Sequence, residues 1–388
     1  MTKFRFLNRF FSEHTHSPRI DWVLFFAILP LLGLGLITMN SFTGGSNYFF
    51  EKQIIWIIIS LIIFFAVSSF NIKFFKRTSV LVMLFCLICG ILTFLLIMGT
   101  ATKGAISWFN FQNFSVQPSD PAKIVIILIL AKYFSKRHIE IAHIKHIIIS
   151  GLYAFILFAL VVLQGDFGSA IIIFFIWLGM IMVSGVSKKH LAFVCLVGVA
   201  SSILLWVFVF QDYQKVRIVT FLHPLADIRG SGYNAYQSTI AVGSGEIFGK
   251  GVGYGTQSRL QFLPEHQTDF VFAAFSEEWG FVGVLIFFAL FGVVFWRILI
   301  NAAYGATNFE ILYGLGYTIF LMSHFVVHIG MNIGLLPITG ITIPFLSYGG
   351  SHLLTVFFGL GLLMSMRSHN KIAIKDSTSN DFLDIIKA

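Results

Sequence analysis

The chain has 388 residues, of which 57% are hydrophobic and 11% charged, with 46 Phe. Soluble globular domains carry about a quarter charged residues, so this composition excludes that class and marks an integral membrane protein. The formal net charge of +9 needs no nucleic-acid partner, because a positive-inside bias plus basic tails facing anionic membrane lipids accounts for it.

About twenty apolar residues are needed to cross the hydrocarbon core. Candidate spans run at 21–39, 53–70, 78–98, 119–135, 146–163, 168–185, 190–210, 270–297, 311–331 and 342–366. The expected fold is an all-α polytopic bundle of about ten transmembrane helices with one large extracytoplasmic loop, 211–269. The span at 119–135 is the weakest, with a clean apolar core only at 124–131, and reads as short or partly re-entrant. Only Gln164-Gly165-Asp166-Phe167 separates the fifth span from the sixth, which makes a tight helical hairpin. With the N-terminus inside, most of the 26 Lys and Arg fall in the inner segments, and an even span number leaves both termini cytoplasmic. The chain then divides into a basic N-terminal segment 1–20, a membrane domain 21–367 and a polar tail 368–388. The N-terminal segment carries no small-residue cleavage site after an early apolar core and is not read as a cleavable signal. Cys86 and Cys89 have CxxC spacing but lie within a span, so they read as apolar filling, with no disulfide expected.

The first three spans look like scaffold, with Trp22 and Trp56 as interfacial anchors. Misplaced polarity begins at 119. Ser119 is expected to cap a helix with Pro121 in its first turn. Asp120 and Lys123, three apart, share a helix face and can pair. Ionisable groups at this depth are functional candidates by default; the plainer reading is an ion pair fixing the helix end. Asp166, in the hairpin, either caps the sixth span or joins Asp120, Lys123 and Asp269 in a shared polar pocket. In the long loop, Arg217 precedes a helical piece at 234–242 and a glycine run at 243–255. The run fails the Walker pattern, since five residues separate Gly243 from Gly249 and Gly251 follows Lys250. It stands either as a backbone cradle for a lipid-linked phosphate or as a set of turns.

The stretch 259–279 concentrates Arg259, Glu265, His266, Asp269, Glu277 and Glu278. Thr268 is expected to cap the eighth span with Asp269 in its first turn. Attraction to a helix N-terminus accounts for Asp269, but not for Glu277, on roughly the same face, or Glu278, which is expected to point away. His324 and His328 have zinc spacing without an evident third ligand, and a hydrogen-bonded pair is the favoured reading. Asn332, Pro337, Thr339-Gly340 and Pro344 mark broken helix geometry. A carboxylate base beside cations suits glycosyl transfer from a lipid pyrophosphate sugar. It suits binding such a lipid for transport equally well, and the residue chemistry alone does not separate the two.

The chain resembles the SEDS family of shape, elongation, division and sporulation proteins. The matching stretches are Gln117-Pro-Ser-Asp-Pro-Ala-Lys123, Gln164-Gly-Asp-Phe-Gly-Ser169, Gly232-Tyr through Gln237-Ser, Gly243-Ser-Gly through Gly249-Lys-Gly, Gly255-Thr-Gln-Ser258, Phe262-Leu-Pro-Glu265, Thr268-Asp-Phe270, Glu277-Glu278, Pro337-Ile-Thr-Gly340 and Ser347-Tyr-Gly-Gly-Ser351. The resemblance implies a ten-helix peptidoglycan glycosyltransferase in the bacterial cytoplasmic (inner) membrane. Such an enzyme polymerises lipid II at the outer face and works with a class B penicillin-binding protein, a transpeptidase. Asp269 falls on the family's essential Asp and is the expected general base. Lys123 falls on the Lys of its QPSE-x-x-K stretch and Asp166 on its hairpin Asp. Lys123, Asp120, Asp166, Arg217, Lys250 and Arg259 are then expected at the substrate and its pyrophosphate, with Glu277 and Gln164 in support. A divalent cation, Mg or Mn, is left open, with Asp269 and Asp166 as its candidate ligands. The chain departs from the pattern at Asp120 (for Glu), Gly165 (for Pro), Gln267 (for His) and His352 (for Ser). The wording around Gly249-Lys-Gly and Phe262-Leu-Pro-Glu leans to the rod-elongation branch over the division branch. A flippase of lipid-linked sugars and a non-catalytic scaffold are the competing readings. A transporter is expected to show two related halves, and no internal repeat is visible.

Overall fold

The computed structural model describes residues 20–41, 48–70, 72–99, 105–110, 114–136, 144–186, 232–260 and 262–367, with single positions between 190 and 221. Most of the expected N-terminal segment, the seventh span as a unit, Arg217 and the tail 368–388 lie outside the described residues.

The order is α1 (Trp22–Ser41), α2 (Tyr48–Ser69), α3 (Thr78–Met98), a two-stranded antiparallel pair β1 (Phe109–Asn110) and β2 (Ser115–Val116), then α4 (Ser119–Ser135), α5 (Ile144–Leu163) and α6 (Phe167–Val183). After these come α7 (Tyr233–Ser244), α8 (Thr256–Arg259), α9 (Val271–Ala303), α10 (Asn308–Asn332) and α11 (350–367). Among the described residues α1, α2, α3, α5, α9 and α10 are six helices long and apolar enough to cross a membrane, and α6 is a shorter apolar helix. Their outward side chains include Ile62, Met83, Ile97, Leu152 and Phe155, a surface that suits hydrocarbon and not water.

The weakest span in the sequence is one of the most enclosed helices among the described residues. In α4 nearly every side chain from Ser119 to Phe134 is buried, Asp120 and Lys123 included. A helix packed on all sides shows no amphipathic stripe. It contacts α3, α5, α6 and α10. Two buried tyrosines tie α10 to α11: Tyr313 Oη donates to the Gly359 carbonyl at 2.9 Å and Tyr317 Oη to that of Val356 at 2.7 Å. A Cβ on Gly359 would collide with the Tyr317 ring, so the close approach requires glycine there.

Several local expectations change. Ser119 caps nothing: the residue before α4 is Pro118, and no side chain caps that end. Thr268 does not cap α9, which begins at Val271; Asp269 sits in the turn just before the helix. The span read at 342–366 opens as non-helical backbone, and its helix runs from 350 to 367.

Helix α9 is broken at Gly280 (φ 64°, ψ −168°). A break inside a membrane helix leaves carbonyls and amides that must find partners. The glycine run supplies them. The Lys250 and Gly251 amides donate to the Glu277 and Glu278 carbonyls at 2.9 and 3.0 Å. In return, the Phe281 and Val282 amides donate to the Glu246 and Ile247 carbonyls at 2.9 and 3.0 Å. A Cβ on Gly245 would strike the Ser276 carbonyl, and one on Gly249 that of Glu278. The run is therefore a splint for the broken helix. Its amides at 249, 250, 251 and 253 are taken inside the protein, which leaves them unavailable to a phosphate.

Candidate functional site

The N-terminal ends of α4, α6, α9 and α11 meet the C-terminal end of α10 at one end of the bundle. Each brings a polar group: Asp120 and Lys123 on α4, Asp166 before α6, Asp269 before α9, His352 on α11 and Asn332 on α10.

Asp269 lies in a turn whose backbone is held from several sides. Glu265, at φ 50°, accepts on its carbonyl the amides of Thr268, Asp269 and Phe270 at 3.1, 3.1 and 3.2 Å. The Asp269 carbonyl accepts from Asn332 Nδ2 at 3.0 Å, the Thr268 carbonyl from Ser347 Oγ at 2.8 Å, and the Gln267 carbonyl from the Tyr348 amide at 2.9 Å. Asn332 Oδ1 accepts the Ala273 amide at 3.1 Å, supplying from α10 the capping oxygen expected of Thr268. Backbone freedom is thus removed, and the half-buried carboxylate is presented beside Gly340. A Cβ on that residue (φ 72°) would stand 3.5 Å from Asp269 Oδ2. In the same turn, burial pushes the His266 imidazole below its usual value.

Asp166 does cap α6, accepting the Ser169 amide at 3.0 Å on Oδ1. Its other oxygen accepts from Gln117 Nε2 at 2.7 Å and Ser119 Oγ at 3.1 Å, which locks the hairpin to the start of α4. The capping reading of this residue holds, and its other oxygen serves Gln117 and Ser119. Lys123 Nζ pairs with Asp120 Oδ1 at 2.9 Å, with both side chains at 3% exposure or less. His352 Nδ1 is 3.5 Å from the same oxygen.

The extended segment 337–343 joins these pieces. A Cβ on Gly168 would stand 2.7 Å from the Thr339 carbonyl, so this segment lies against the hairpin. Gly340 faces Asp269. His328 donates from Nδ1 to the Ile341 carbonyl at 2.6 Å, and His324 to that of Thr342 at 2.9 Å. A carbonyl only accepts, so each ring carries its proton on Nδ1. His324 in turn stacks on His352 at 4.4 Å between centroids. The histidine pair therefore holds broken backbone, as the hydrogen-bonded reading has it.

Lys250, Glu277 and Glu278 form a second group. Glu277, fully buried, accepts from Lys250 Nζ at 2.7 Å, from Thr256 N at 2.8 Å and Oγ1 at 2.9 Å, and from Gln257 N at 3.1 Å. The pair fastens the glycine splint to α9. Glu278 is buried, accepting from Ser41 Oγ of α1 at 2.5 Å and from the Gly253 amide at 3.0 Å. Arg259 ends α8 with an exposed side chain. Gln164 turns its amide from the pocket to the Leu92 carbonyl at 2.8 Å.

Among the described residues no three His, Cys, Asp or Glu converge as a metal site. Asp166 already accepts the three hydrogen bonds given above. Among the described residues the donor set does not fit a caged cation. Sequence reasoning passed over Asn332 as a holder of Asp269, Gln117 as a donor to Asp166, and His352 beside Asp120. All three were visible in the sequence, Asn332 at broken helix geometry, Gln117 in a matching stretch and His352 as a departure from the family pattern, but none of them in these roles.

Comparison with known proteins agrees across nearly the whole chain. Residues 19–372 match the family model of FtsW, RodA and SpoVE, described as "Cell cycle protein". Peptidoglycan glycosyltransferase MrdB of Escherichia coli (strain K12) is 33% identical over 356 residues, covering 92% of this chain and 95% of that protein. Stage V sporulation protein E of Bacillus subtilis (strain 168) is 33% identical over 370 residues, covering 92% and 99%. A solved chain described under "Structural coordination of polymerization and crosslinking by a peptidoglycan synthase complex" superposes with TM-score 0.78 at 26% identity, covering 90% of this chain and 98% of that one. The rod shape determining protein RodA of Thermus thermophilus gives TM-score 0.68 at 25% identity, covering 89% and 96%. The chain belongs to the FtsW/RodA/SpoVE family of cell cycle proteins.

Proposed function

We propose that the chain polymerises lipid II into glycan strands at the outer face of the bacterial cytoplasmic membrane during cell elongation. That it is an enzyme, a peptidoglycan glycosyltransferase, follows from its family and from relatives of that name across most of its length. The elongation role is the finer reading, supported by the wording around Gly249-Lys-Gly and Phe262-Leu-Pro-Glu. In the proposed topology ten helices place both termini in the cytoplasm and 211–269 outside, with 1–20 and 368–388 as cytoplasmic segments. A class B penicillin-binding protein is the proposed partner. In support of it, a chain of similar fold comes from a peptidoglycan synthase complex.

In the proposed reaction Asp269 takes the proton from the acceptor sugar's 4-hydroxyl. The oxygen attacks the donor's anomeric carbon with inversion as the bond to undecaprenyl pyrophosphate breaks. The proton stays on Asp269, and the leaving anion is met by Lys123, with Asp120 and Asp166 shaping the site and Gln164 and Glu277 in support. Arg217 and Arg259 are cations for the same headgroup, and Lys250 serves it through Glu277. A Mg or Mn ion would enter with the pyrophosphate it neutralises. One observation carries the reading: Asp269 has a pinned backbone and a carboxylate facing Gly340, on the segment that also meets the Asp166 hairpin and the His324 ring.

The test is polymerisation of lipid II by the purified full chain with its transpeptidase. Asp269→Asn should cost about 10²–10⁴-fold in turnover, as expected for a lost general base. Equal glycan yield from both would remove Asp269 from the chemistry. No polymer from either, with lipid II crossing vesicle membranes, would favour the flippase. Stimulation by a division-type transpeptidase alone would move the chain to the division branch.

A further inference from the structure

We infer that His352 is a positioning residue that takes up a proton when the lipid pyrophosphate binds, drawing Asp120 from Lys123 and freeing the ammonium for the anion. The inference rests on the substrate reading above. Lys123 and Asp120 are each 2% exposed and paired at 2.9 Å. A paired ammonium is a poor anion clamp, because the ligand must displace a carboxylate already in contact. The displaced Asp120 would then be an uncompensated buried charge of the ligand's own sign.

The neighbouring groups offer a way out. His352 Nδ1 lies 3.5 Å from Asp120 Oδ1. Neither nitrogen of His352 has a hydrogen-bond partner, nor does Asp120 Oδ2. The ionisable groups around His352 are Asp120 and Lys123 on α4 and His324 and His328 on α10. The two α10 histidines are committed, each donating its Nδ1 hydrogen to a carbonyl of the 337–343 segment. His352 alone among the three is uncommitted and within reach of the carboxylate. With His352 neutral, the Lys123–Asp120 pair is balanced and closed to an anion. One proton from solvent, placed on His352, gives Asp120 a second partner and leaves Lys123 one positive charge to face the ligand. The only bond made is the N–H of the imidazolium, to a proton from solvent; the Lys123–Asp120 ion pair gives way to His352–Asp120 and Lys123–ligand pairs.

Calorimetry of undecaprenyl pyrophosphate binding to the full chain in nanodiscs reads the proton directly, using buffers of different ionisation enthalpy. Wild type should take up to about one proton per ligand, and its Kd should weaken by up to about tenfold per pH unit across the window where that uptake occurs. His352→Gln, checked for an unchanged melting temperature, should bind with no proton uptake and a flat pH dependence, losing the tight binding seen at low pH. His352→Lys, a fixed cation, should bind tightly at every pH without uptake. Wild type that binds without taking up a proton, or His352→Gln with the wild-type uptake, overturns the inference and leaves the substrate reading standing. Wild type that does not bind undecaprenyl pyrophosphate overturns both.

Discussion

At the scale of single residues, the position of Asp269 depends on Asn332 as much as on its own turn. Asn332 is fully buried and donates to the Asp269 and His328 carbonyls while accepting the Ala273 amide. Asn332→Ala would leave the Asp269 carbonyl and the Ala273 amide without this partner away from water, at a cost of about 1–3 kcal/mol for each unsatisfied group. The expected outcome is a lower melting temperature together with a fall in kcat larger than any change in KM, because the base is no longer held. Heat denaturation alongside lipid II turnover checks it; wild-type kcat in a folded Asn332→Ala protein would refute the positioning role. Asp269, Lys123 and Asp166 were legible in the sequence because an ionisable residue in an apolar chain stands out on cost alone. Asn332 was not, since its partner lies 63 positions away and only the fold brings the two together.

At the scale of elements, the glycine run shows where local pattern fails. Spacing alone excluded a Walker loop, but it left a phosphate cradle and a set of turns equally open. The amides turn out to serve the break in α9, and nothing in Trp279-Gly-Phe-Val-Gly283 announces a break, because glycine is common in membrane helices that stay helical. Two of the three glycines in α9, at 280 and 292, therefore make a paired test. Gly280 has φ 64°, and a Cβ there would collide with the Gly249 amide, whereas at Gly292 nothing lies within 4 Å. Gly280→Ala is expected to destabilise by about 1–3 kcal/mol through backbone strain alone, with the collision adding to it. Gly292→Ala should be neutral or stabilise by up to about 1 kcal/mol, the helix-propensity difference. Thermal unfolding of the two variants decides it, and equal effects would mean that the break is not required. The same reasoning explains the failed expectation for Thr268: an orphan helix amide needs an oxygen, and here that oxygen comes from α10 and not from the preceding residue.

At the scale of the molecule, charge is sorted to the two ends of the bundle for different purposes. The end with Asp269 gathers the candidate site. At the opposite end, Asp21 binds Arg297 Nε at 3.0 Å and Nη2 at 2.7 Å, Asn301 Nδ2 at 2.8 Å and Arg367 Nη1 at 3.0 Å. This hub ties the start of α1 to the ends of α9 and α11. Nearby in kind, Lys76 pairs with Glu310 at 2.5 Å, joining the turn after α2 to the start of α10. The Lys and Arg that the sequence reading places on the inner side include the cations of these hubs, Arg297, Arg367 and Lys76. The acid at their centre was not foreseen, since Asp21 reads as an ordinary residue at a span boundary. Asp21 is nearly inaccessible, while Arg297 and Arg367 keep 19% and 14% of their side chains exposed. Removing the acid leaves two adjacent arginines without a counter-charge, but partly hydrated. Asp21→Asn keeps a hydrogen-bonding side chain of the same size, so the loss isolates the charge and should be about 3 kcal/mol, the lower end for breaking a buried pair. Because the hub lies a full helix length from Asp269, turnover per folded molecule should stay within about twofold at a temperature where the variant remains folded. Thermal unfolding paired with lipid II polymerisation measures both quantities. A large loss of turnover in the folded variant would mean that the hub and the site are coupled through α9, and that the Gly280 break transmits rather than absorbs strain.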